Sequence, residues 1–467
     1  SGKNNVNPTE EVDIEKISKD AGKKEGELLN EEPEKINPTP EDLELMGELL
    51  KLSFNQGAFG MSTGLTYVPS RYARFEELVY LCRVIKESGR TYTSHARDYD
   101  IFGDDFFLGP LKEAFALARE TGVRVQFSHA AINNPSLWGR AQDWVDLFDS
   151  PEAKNLDVTF DVYPYNASSS ALTQYLPEWV QAGGVEAMKE RLSDSVTFKR
   201  AAEELSLGWS AHKIKWMWDR VVIARGNGLL GVENGDSIEV AAKKLNITPE
   251  NLVLELSRLG GNAVMVVLFY RTDEDMRTFA RSKHSMICSD GSAIPFDQKG
   301  KLPHPRSFGA SARALGYLSR ELGDMSFEEV IFKMSGKVAA RFGIHDRGSI
   351  EVGKAADIVI FNPLTIKDQA SFLNPSQPPI GIEYVFVNGE IVVERYQYDR
   401  KPEMPLRSFS MAKTVIALLI GIAHQKGQII SLDDKVSKYW PEISQSVYGQ
   451  TTIRNLLRMA SGVSFKE

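Results

Sequence analysis

Two short segments, Tyr92-Thr-Ser-His95-Ala-Arg97 and Gln126-Phe-Ser-His129, decide the fold. In each of them a run of residues that favour a β-strand ends in a histidine. The two histidines lie 34 residues apart (129 minus 95), close to the roughly 30 residues of one βα unit. Because successive parallel strands end at the same edge, we expect both imidazoles to lie side by side there, where barrel active sites form.

Strand and helix patterns alternate on both sides of these segments. Helical periodicity predicts helices at Phe75–Glu87 and 111–120. Thr39, Pro40 and Asp42 are typical of a capping box at the start of an earlier helix. Alternation of this kind implies an α/β fold with a parallel sheet and right-handed crossovers. The apolar runs that predict its strands are residues 58–62, 91–94, 123–128, 158–163 and 285–289.

Two further parts of the chain differ from this pattern. Residues 170–280 read as mostly helical, with one strand at 221–224, and part of this stretch could be an insertion. Short strands separated by Gly, Asn and Pro then predict a small β segment. Its expected strands are residues 348–352, 357–361, 384–387 and 391–394.

The composition excludes several classes of protein. The chain has 467 residues and a net charge of −8, which argues against nucleic acid or an anionic membrane as partner. Its two cysteines, Cys82 and Cys288, cannot form a disulfide framework and lack metal-ligand spacing. No run reaches the ~20 apolar residues that cross a bilayer. We therefore expect a soluble protein; the sequence shows no signal peptide, and the cytoplasm is favoured.

The residues at the predicted strand ends could carry metal chemistry. His95 and His129 as neutral imidazoles would make half of a zinc site. Asp290 ends another predicted strand, and a carboxylate there can ligate a metal or take a proton from metal-bound water. The alternative is structural, since a histidine at a strand end is often hydrogen-bonded for stability and Asp-Gly is a common turn.

Further motifs accompany these residues in a fixed order. They are Gly57-Ala-Phe-Gly-Met-Ser-Thr-Gly-Leu65, Tyr92-Thr-Ser-His95-Ala-Arg97, Ser128-His129, Asp161-Val-Tyr-Pro-Tyr165, Ser289-Asp290-Gly291 and His304-Pro-Arg306. Together they resemble the N-acyl-D-amino-acid deacylases (D-aminoacylases) of the amidohydrolase superfamily. The resemblance covers roughly residues 37–392, and the segment that starts at Gly348 is similar to the β segment after the barrel in that superfamily.

The resemblance implies a (β/α)₈ barrel, a small β-sandwich and a zinc-activated water that cleaves an amide. It implies that His95 and His129 are zinc ligands on the fifth and sixth strands. Asp290, on the eighth strand, would be the general acid/base and a possible ligand of a second metal. The remaining assignments are a substrate-carboxylate contact for Arg306, whose alternative is a surface ion pair, and a place in the substrate pocket for Tyr163 and Ser169.

The sequence departs from the family pattern at three points. No histidine precedes His95, so the His-x-His of the family's first strand is absent from this sequence. Cys82 lies in a predicted helix and does not match the family's bridging cysteine, and Ala131 stands where many relatives carry a lysine. We expect a barrel without its first three strands, whose open edges could drive self-association.

The C-terminal part carries a different motif, Arg407-Ser-Phe-Ser410-Met-Ala-Lys413. Ser410 and Lys413 would share one face of a helix, so the lysine could activate the serine. The alternative is a helix-capping serine with a solvated lysine. With the segments after it, such as Leu419-Ile-Gly-Ile-Ala423, residues 390–467 resemble the start of a class C β-lactamase-like serine hydrolase. That resemblance implies Ser410 as nucleophile and Lys413 as its base.

The sequence thus predicts an α/β protein: an incomplete (β/α)₈ TIM barrel of the metal-dependent amidohydrolase type, a small β segment and a partial β-lactamase-like fragment. The expected function is zinc-dependent hydrolysis of the linear amide bond of an N-acyl-D-amino acid. The alternatives are serine hydrolysis through Ser410 and a non-catalytic remnant. The expected domains are a disordered polar lead-in at 1–36, the partial barrel at 37–345, the β-sandwich segment at 346–395 and the hydrolase fragment at 396–467.

Overall fold

The computed structural model describes residues 37–97, 107–209, 214–298, 300–394, 420 and 423–457. The chain divides into two compact units, Ser1–Arg395 and Tyr396–Glu467. The predicted disordered lead-in and the predicted pair Ser410 and Lys413 lie outside the described residues.

The strands of the first unit form three separate sheets. The main sheet has the order β1-β2-β3-β4-β8, and each of its strands runs parallel to its neighbours. This confirms the predicted α/β class and the parallel sheet. The strands in chain order are β1 (Gly60–Gly64), β2 (Thr91–His95), β3 (Arg124–Phe127), β4 (Val158–Val162), β5 (Ser168–Ala171), β6 (Val221–Arg225), β7 (Met265–Leu268), β8 (Ser285–Ile287), β9 (Ile358–Phe361), β10 (Ile382–Val387) and β11 (Glu390–Glu394).

Helices fill most connections between the strands. The predicted capping box at the first of them is present, since Thr39 Oγ1 accepts from the Asp42 N–H and Asp42 accepts from the Thr39 N–H. The helices are α1 (Pro40–Asn55), α2 (Phe75–Glu87), α3 (Gly109–Thr121), α4 (Ala141–Asp146), α5 (Glu178–Gln181), α6 (Gly184–Ser193), α7 (Ser195–Ser206), α8 (Ile238–Leu245), α9 (Pro249–Gly260), α10 (Asp273–Arg281), α11 (Arg306–Arg313), α12 (Phe327–Met334) and α13 (Gly336–Phe342), with a π-helical stretch at Ala314–Glu321 after α11.

The main core lies between the parallel sheet and its helices. Trp144 of α4 is its aromatic centre, with ring centroids 5.2 Å from Phe127, 5.0 Å from Phe160 and 5.2 Å from Phe279. These edge-to-face contacts join β3, β4 and α10 and add to the apolar burial. The core therefore fixes the relative positions of the strands whose ends carry the candidate site.

A second sheet, with the order β5-β7-β6, is antiparallel and has its own core. The sequence predicts a mostly helical region at 170–280 with a single strand, which corresponds to β6. The prediction is therefore incomplete, because it lacks β5 and β7. The strand β5 consists of Ser168-Ser-Ser-Ala171 and has no apolar alternation. The strand β7 consists of four apolar residues, and the periodicity of so short a run does not distinguish a strand from the end of a buried helix.

The third sheet, with the order β11-β10-β9, is antiparallel and forms the small β segment. Three of the four strands predicted here are present. The prediction of a strand at 348–352 is wrong, because this stretch forms bends and a turn. Gly348 and Gly353 there have φ values of 85° and 90°, a left-handed backbone that ends an extended strand.

The second unit is described over a shorter stretch. It contains α14 (Val447–Gln450), α15 (Ile453–Leu457) and a single bridge between Lys435 and Thr452. Across the described ranges of both units, no helix has the length and apolar character needed to cross a membrane.

Candidate active site

Two histidines meet at the carboxyl edge of the parallel sheet. His95 is the last residue of β2, and His129 follows β3 by two residues. Their ring centroids are 4.3 Å apart and the rings are nearly perpendicular. The side-by-side placement expected from their spacing is therefore found.

A cleft of about 250 Å³ opens at this edge. The six residues that the sequence singles out in the barrel part all line it. They come from the ends of four parallel strands, from β5 and from the start of α11. These residues are His95, His129, Tyr163, Ser169, Asp290 and Arg306.

Both imidazoles are held neutral by their surroundings. Burial, with a smaller contribution from the neighbouring His129, lowers the pKa of His95 to about 3. Burial also lowers the pKa of His129 to about 3, and the positive charge of Arg271 acts in the same direction. A neutral imidazole is the form that binds a metal ion through a ring nitrogen.

Two of the site residues have an unusual backbone. His129 has a φ of 39° and Asp290 a φ of 46°, in the left-handed region that non-glycine residues rarely adopt. Asp161 of β4 supports the first, because its Oδ1 accepts a 2.8 Å hydrogen bond from the His129 N–H. The other oxygen, Oδ2, accepts at 2.7 Å from the Gln126 side chain. Strained residues of this kind tend to cluster at functional sites.

Asp290 and Arg306, for which the sequence predicts separate roles, contact each other. The Arg306 Nη1 lies 2.7 Å from the Asp290 Oδ2, and the Arg306 side chain is only 11% exposed. The guanidinium also lies over the Tyr163 ring, 4.6 Å from its centroid. Arg306 therefore forms an ion pair, as in the alternative interpretation, but this pair lies within the cleft and not on the outer surface.

His304 fixes the start of the segment that carries Arg306. Its Nε2 lies 3.0 Å from the Ala167 carbonyl oxygen, to which it can only donate. Its Nδ1 accepts from the Arg306 N–H at 3.1 Å. The ring is thus neutral, in agreement with burial that lowers its pKa well below the usual value. The His304-Pro-Arg306 motif places the two side chains near each other in the chain, but the Ala167 contact becomes visible only in the folded structure.

The side chains at this edge supply half of the ligands that a zinc site needs. Within the described ranges, no group of three or more His, Cys, Asp or Glu side chains is placed to hold a metal ion. His95 and His129 supply two nitrogen ligands, whereas a tetrahedral zinc site takes four ligands. The Asp290 carboxylate, the third predicted ligand, is engaged by Arg306.

One cleft residue was missed from the sequence. Arg271 follows β7, and its Nε donates to the Asn133 Oδ1 at 2.8 Å while its Nη1 donates to the Tyr163 hydroxyl. The signal that could have found it is the run Met265-Val-Val-Leu-Phe-Tyr-Arg271, in which a polar residue follows a short apolar strand. Ala131 also lines the cleft.

Comparisons with known proteins agree with this architecture. Residues 298–393 match the family model described as "Amidohydrolase family", and residues 381–467 match the one described as "Beta-lactamase". The D-aminoacylase of Alcaligenes xylosoxydans xylosoxydans is 31% identical over 351 residues, 75% of this chain and 61% of that protein. The N-acyl-D-glutamate deacylase of the same organism is 29% identical over 79% of this chain and 65% of its own length. The chain thus spans less than two thirds of these curated relatives.

Solved structures give the same result. A crystal structure of a D-aminoacylase is 28% identical, with a TM-score of 0.60, over 78% of this chain and 65% of that one. The N-acyl-D-glutamate deacylase of Bordetella bronchiseptica, in complex with zinc and a phosphonate inhibitor, is 26% identical. Its TM-score is 0.62 over 79% of this chain and 67% of that one. A further D-aminoacylase structure concerns a binuclear metal centre.

The parallel strands, the paired histidines and the matches on both sides of residues 381–393 lead to one conclusion. The chain is similar to the D-aminoacylase and the N-acyl-D-glutamate deacylases named above, and its match to the amidohydrolase family model overlaps its match to the beta-lactamase family model at residues 381–393.

Proposed function

We propose that the cleft serves zinc-dependent hydrolysis of the amide bond of an N-acyl-D-amino acid. The observation that carries this proposal is the meeting of two neutral imidazoles with an Asp–Arg pair in one cleft. His95 and His129 would hold the zinc. Bound zinc polarises a carbonyl group and lowers the pKa of water, which makes amide cleavage possible near neutral pH.

In this proposal Asp290 moves the proton. Its side chain is 35% exposed and faces the cleft, so it can take a proton during attack and deliver it to the leaving amine. The Arg306 guanidinium lies 2.7 Å from the Asp290 Oδ2 and holds this side chain in the cleft.

Substrate recognition would fall to the other cleft residues. Tyr163 and Ser169 line the cleft, and the Arg306 guanidinium lies over the Tyr163 ring, so both residues can contact the amino-acid part of the substrate. The resemblance implies that Arg306 binds the substrate carboxylate. For this role the Arg306 guanidinium must leave the Asp290 carboxylate and bind that of the substrate. The relatives named as D-aminoacylase and N-acyl-D-glutamate deacylase support a D-amino acid.

The test is hydrolysis of N-acetyl-D- and N-acetyl-L-amino acids by the zinc-supplied chain. We expect turnover of the D-series only, abolished by a chelator and by His95→Ala. Asp290→Asn should reduce turnover by ~10²-fold or more, because it removes the proton carrier. The exposed Asp146→Asn on α4 is the matched control and should keep full activity. A folded, zinc-supplied chain without turnover would instead support the non-catalytic alternative.

A second candidate function belongs to the C-terminal part. The beta-lactamase family match at residues 381–467 includes Ser410 and Lys413, the proposed nucleophile and base. A fluorophosphonate probe should then label the chain in the presence of a chelator, and Ser410→Ala should abolish labelling. Ser408→Ala, two residues away, is the matched control. Absence of labelling in the folded chain contradicts this second proposal.

A further inference from the structure

Arg271 differs from Arg97 and Arg306, which also line the cleft, in the charge of its partners. The Arg97 Nε lies 3.0 Å from a Glu113 carboxylate oxygen. The Arg306 Nη1 lies 2.7 Å from the Asp290 Oδ2. For Arg271, by contrast, no carboxylate in the described part of the chain lies within ion-pair distance of the guanidinium. Its positive charge therefore has no counter-ion among these residues.

The partners of Arg271 are neutral oxygens. Its Nε donates to the Asn133 Oδ1 at 2.8 Å and its Nη1 donates to the Tyr163 hydroxyl. A guanidinium carries N–H groups on all three of its nitrogens, so donors remain for a further acceptor. A carboxylate is the acceptor that matches this planar fork in both shape and charge.

The cleft wall next to Arg271 carries hydroxyl groups. Ser168, Ser169 and Ser170 of β5 all line the cleft. β5 pairs with β7 in antiparallel fashion, and Ser168 lies opposite Leu268, three residues before Arg271. The start of β5 and the end of β7 thus meet at one end of this sheet. A serine hydroxyl can donate to a carboxylate oxygen, so this end of the sheet offers a cation and further donors to one anionic group.

A substrate with a single carboxylate would leave Arg271 without a counter-ion. In the proposed function the Arg306 guanidinium leaves Asp290 and binds the α-carboxylate of the substrate. Arg271 is partly buried, and a charge that is partly removed from water without a counter-ion costs free energy. A second carboxylate on the same ligand would lower this cost. The charges of the cleft are thus better matched by two carboxylates than by one.

Tyr163 contacts both arginines. The Arg271 Nη1 donates to its hydroxyl, and the Arg306 guanidinium carbon lies 4.6 Å from the centroid of its ring. A substrate whose α-carboxylate lies at Arg306 has its α-carbon near this tyrosine. The amino-acid side chain leaves from that same carbon, whereas the acyl group lies beyond the amide bond. The side chain is therefore the better candidate for contact with Arg271.

We propose that Arg271 binds a second carboxylate, that of the substrate side chain, so that the cleft selects N-acyl derivatives of acidic D-amino acids. The inference rests on the proposed function, which places the α-carboxylate at Arg306. Arg271 is then a residue that determines specificity, because a neutral side chain leaves its charge without a counter-ion.

The test measures binding without cleavage. The probes are N-methylsulfonyl-D-glutamate and N-methylsulfonyl-D-glutamine, with the aspartate and asparagine pair beside them. Their sulfonamide replaces the amide bond that would be hydrolysed, and the two members of a pair differ only in the side-chain carboxylate. Calorimetry on the zinc-supplied full chain gives the ratio of affinities within each pair. We expect a preference of roughly 10–100-fold for the acidic member of at least one pair, the size of a charge-assisted hydrogen bond.

Variants of Arg271 assign the preference to this side chain. Arg271→Met should remove the preference and leave the affinity for the neutral probe nearly unchanged. Arg271→Lys keeps the charge without the fork and should retain part of the preference. Arg225→Met is the matched control, because Arg225 also donates to a neutral oxygen, the Ala263 carbonyl, but lies outside the cleft lining. Circular dichroism shows whether each variant is folded.

A further probe pair tests the side of the amide bond on which the second carboxylate lies. N-(carboxymethylsulfonyl)-D-alanine and N-(carbamoylmethylsulfonyl)-D-alanine carry the acid or its amide on the acyl side. We expect no Arg271-dependent preference within this pair. Such a preference here, in place of one within the glutamate and aspartate pairs, would overturn the assignment to the side chain.

Three other results would also overturn the inference. They are an unaltered chain without preference in either amino-acid pair, a folded Arg271→Met variant that keeps the full preference, and an Arg271→Met variant that binds both members of a pair equally more weakly. The last result would mean that Arg271 contacts the part common to both probes. Failure of the hydrolysis assay with an intact, Arg271-dependent preference would count against the proposed function and not against this inference.

Discussion

His129 holds a backbone conformation that must be stabilised by its neighbours. Its φ of 39° is unfavourable for a residue with a Cβ atom. The Asp161 carboxylate, whose pKa is raised by burial, accepts the His129 N–H, and the Gln126 amide and the Cys288 thiol also donate to it. One side chain thus couples β3, β4 and the end of β8 beneath the histidine pair.

Removal of this carboxylate should therefore destabilise the first unit. Asp161→Ala leaves the His129 N–H and the Gln126 amide without their acceptor, and we expect a loss of about 2–4 kcal/mol. Asp161→Asn retains an oxygen for His129 and should lose clearly less. Urea unfolding followed by tryptophan fluorescence measures both variants. Equal stability of Asp161→Ala and the unaltered chain would show that the carboxylate does not support this backbone.

Helix α13 packs a lysine against the amino end of β8. The Lys337 Nζ donates to the Ser285 carbonyl at 2.8 Å and to the Lys283 carbonyl. Burial, together with the positive charges of Lys333 and Arg341, lowers its pKa from 10.5 to about 8. The folded protein therefore disfavours the protonated form of this side chain.

At alkaline pH the free energy of unfolding should depend on the protonation of Lys337. Between about pH 8 and pH 10.5 the folded state releases the proton while the unfolded state keeps it. Because the unfolded state binds more protons in this window, the contribution of Lys337 to the free energy of unfolding rises with pH. The difference in stability between the unaltered chain and Lys337→Met, followed by urea unfolding, should shift in favour of lysine from pH 8 to 10. A difference in stability that does not change with pH would contradict a lowered pKa of Lys337 in the folded state.

The described residues that line the cleft all belong to the first unit. They range from Thr66 to Arg306, whereas the second unit starts at Tyr396. A chain that ends at Arg395 should therefore bind zinc and N-acetyl-D-alanine with the affinities of the full chain. Calorimetry of the two chains side by side checks this, with circular dichroism to show that the shorter chain is folded. A loss of binding by the folded shorter chain would mean that residues 396–467 contribute to the site.

The strand ends could be predicted from the sequence because local patterns determine them. His95 and His129 follow apolar runs one βα unit apart, and parallel pairing then places them together. The pairing of Asp290 with Arg306 could not be predicted, because it depends on how the segment before α11 folds back over β8. Arg271 was missed for a related reason: β7 belongs to an antiparallel sheet whose short strands carry no distinct period.

The most direct test of the site is zinc binding by the full chain in equilibrium dialysis, with His95→Ala and His129→Ala beside it. If the two neutral imidazoles form the metal site, the unaltered chain binds about one zinc ion, weakly because the described part supplies two protein ligands, and both variants lose it. Zinc binding that survives in either folded variant, or a folded parent chain that binds no zinc, would contradict the assignment of this histidine pair.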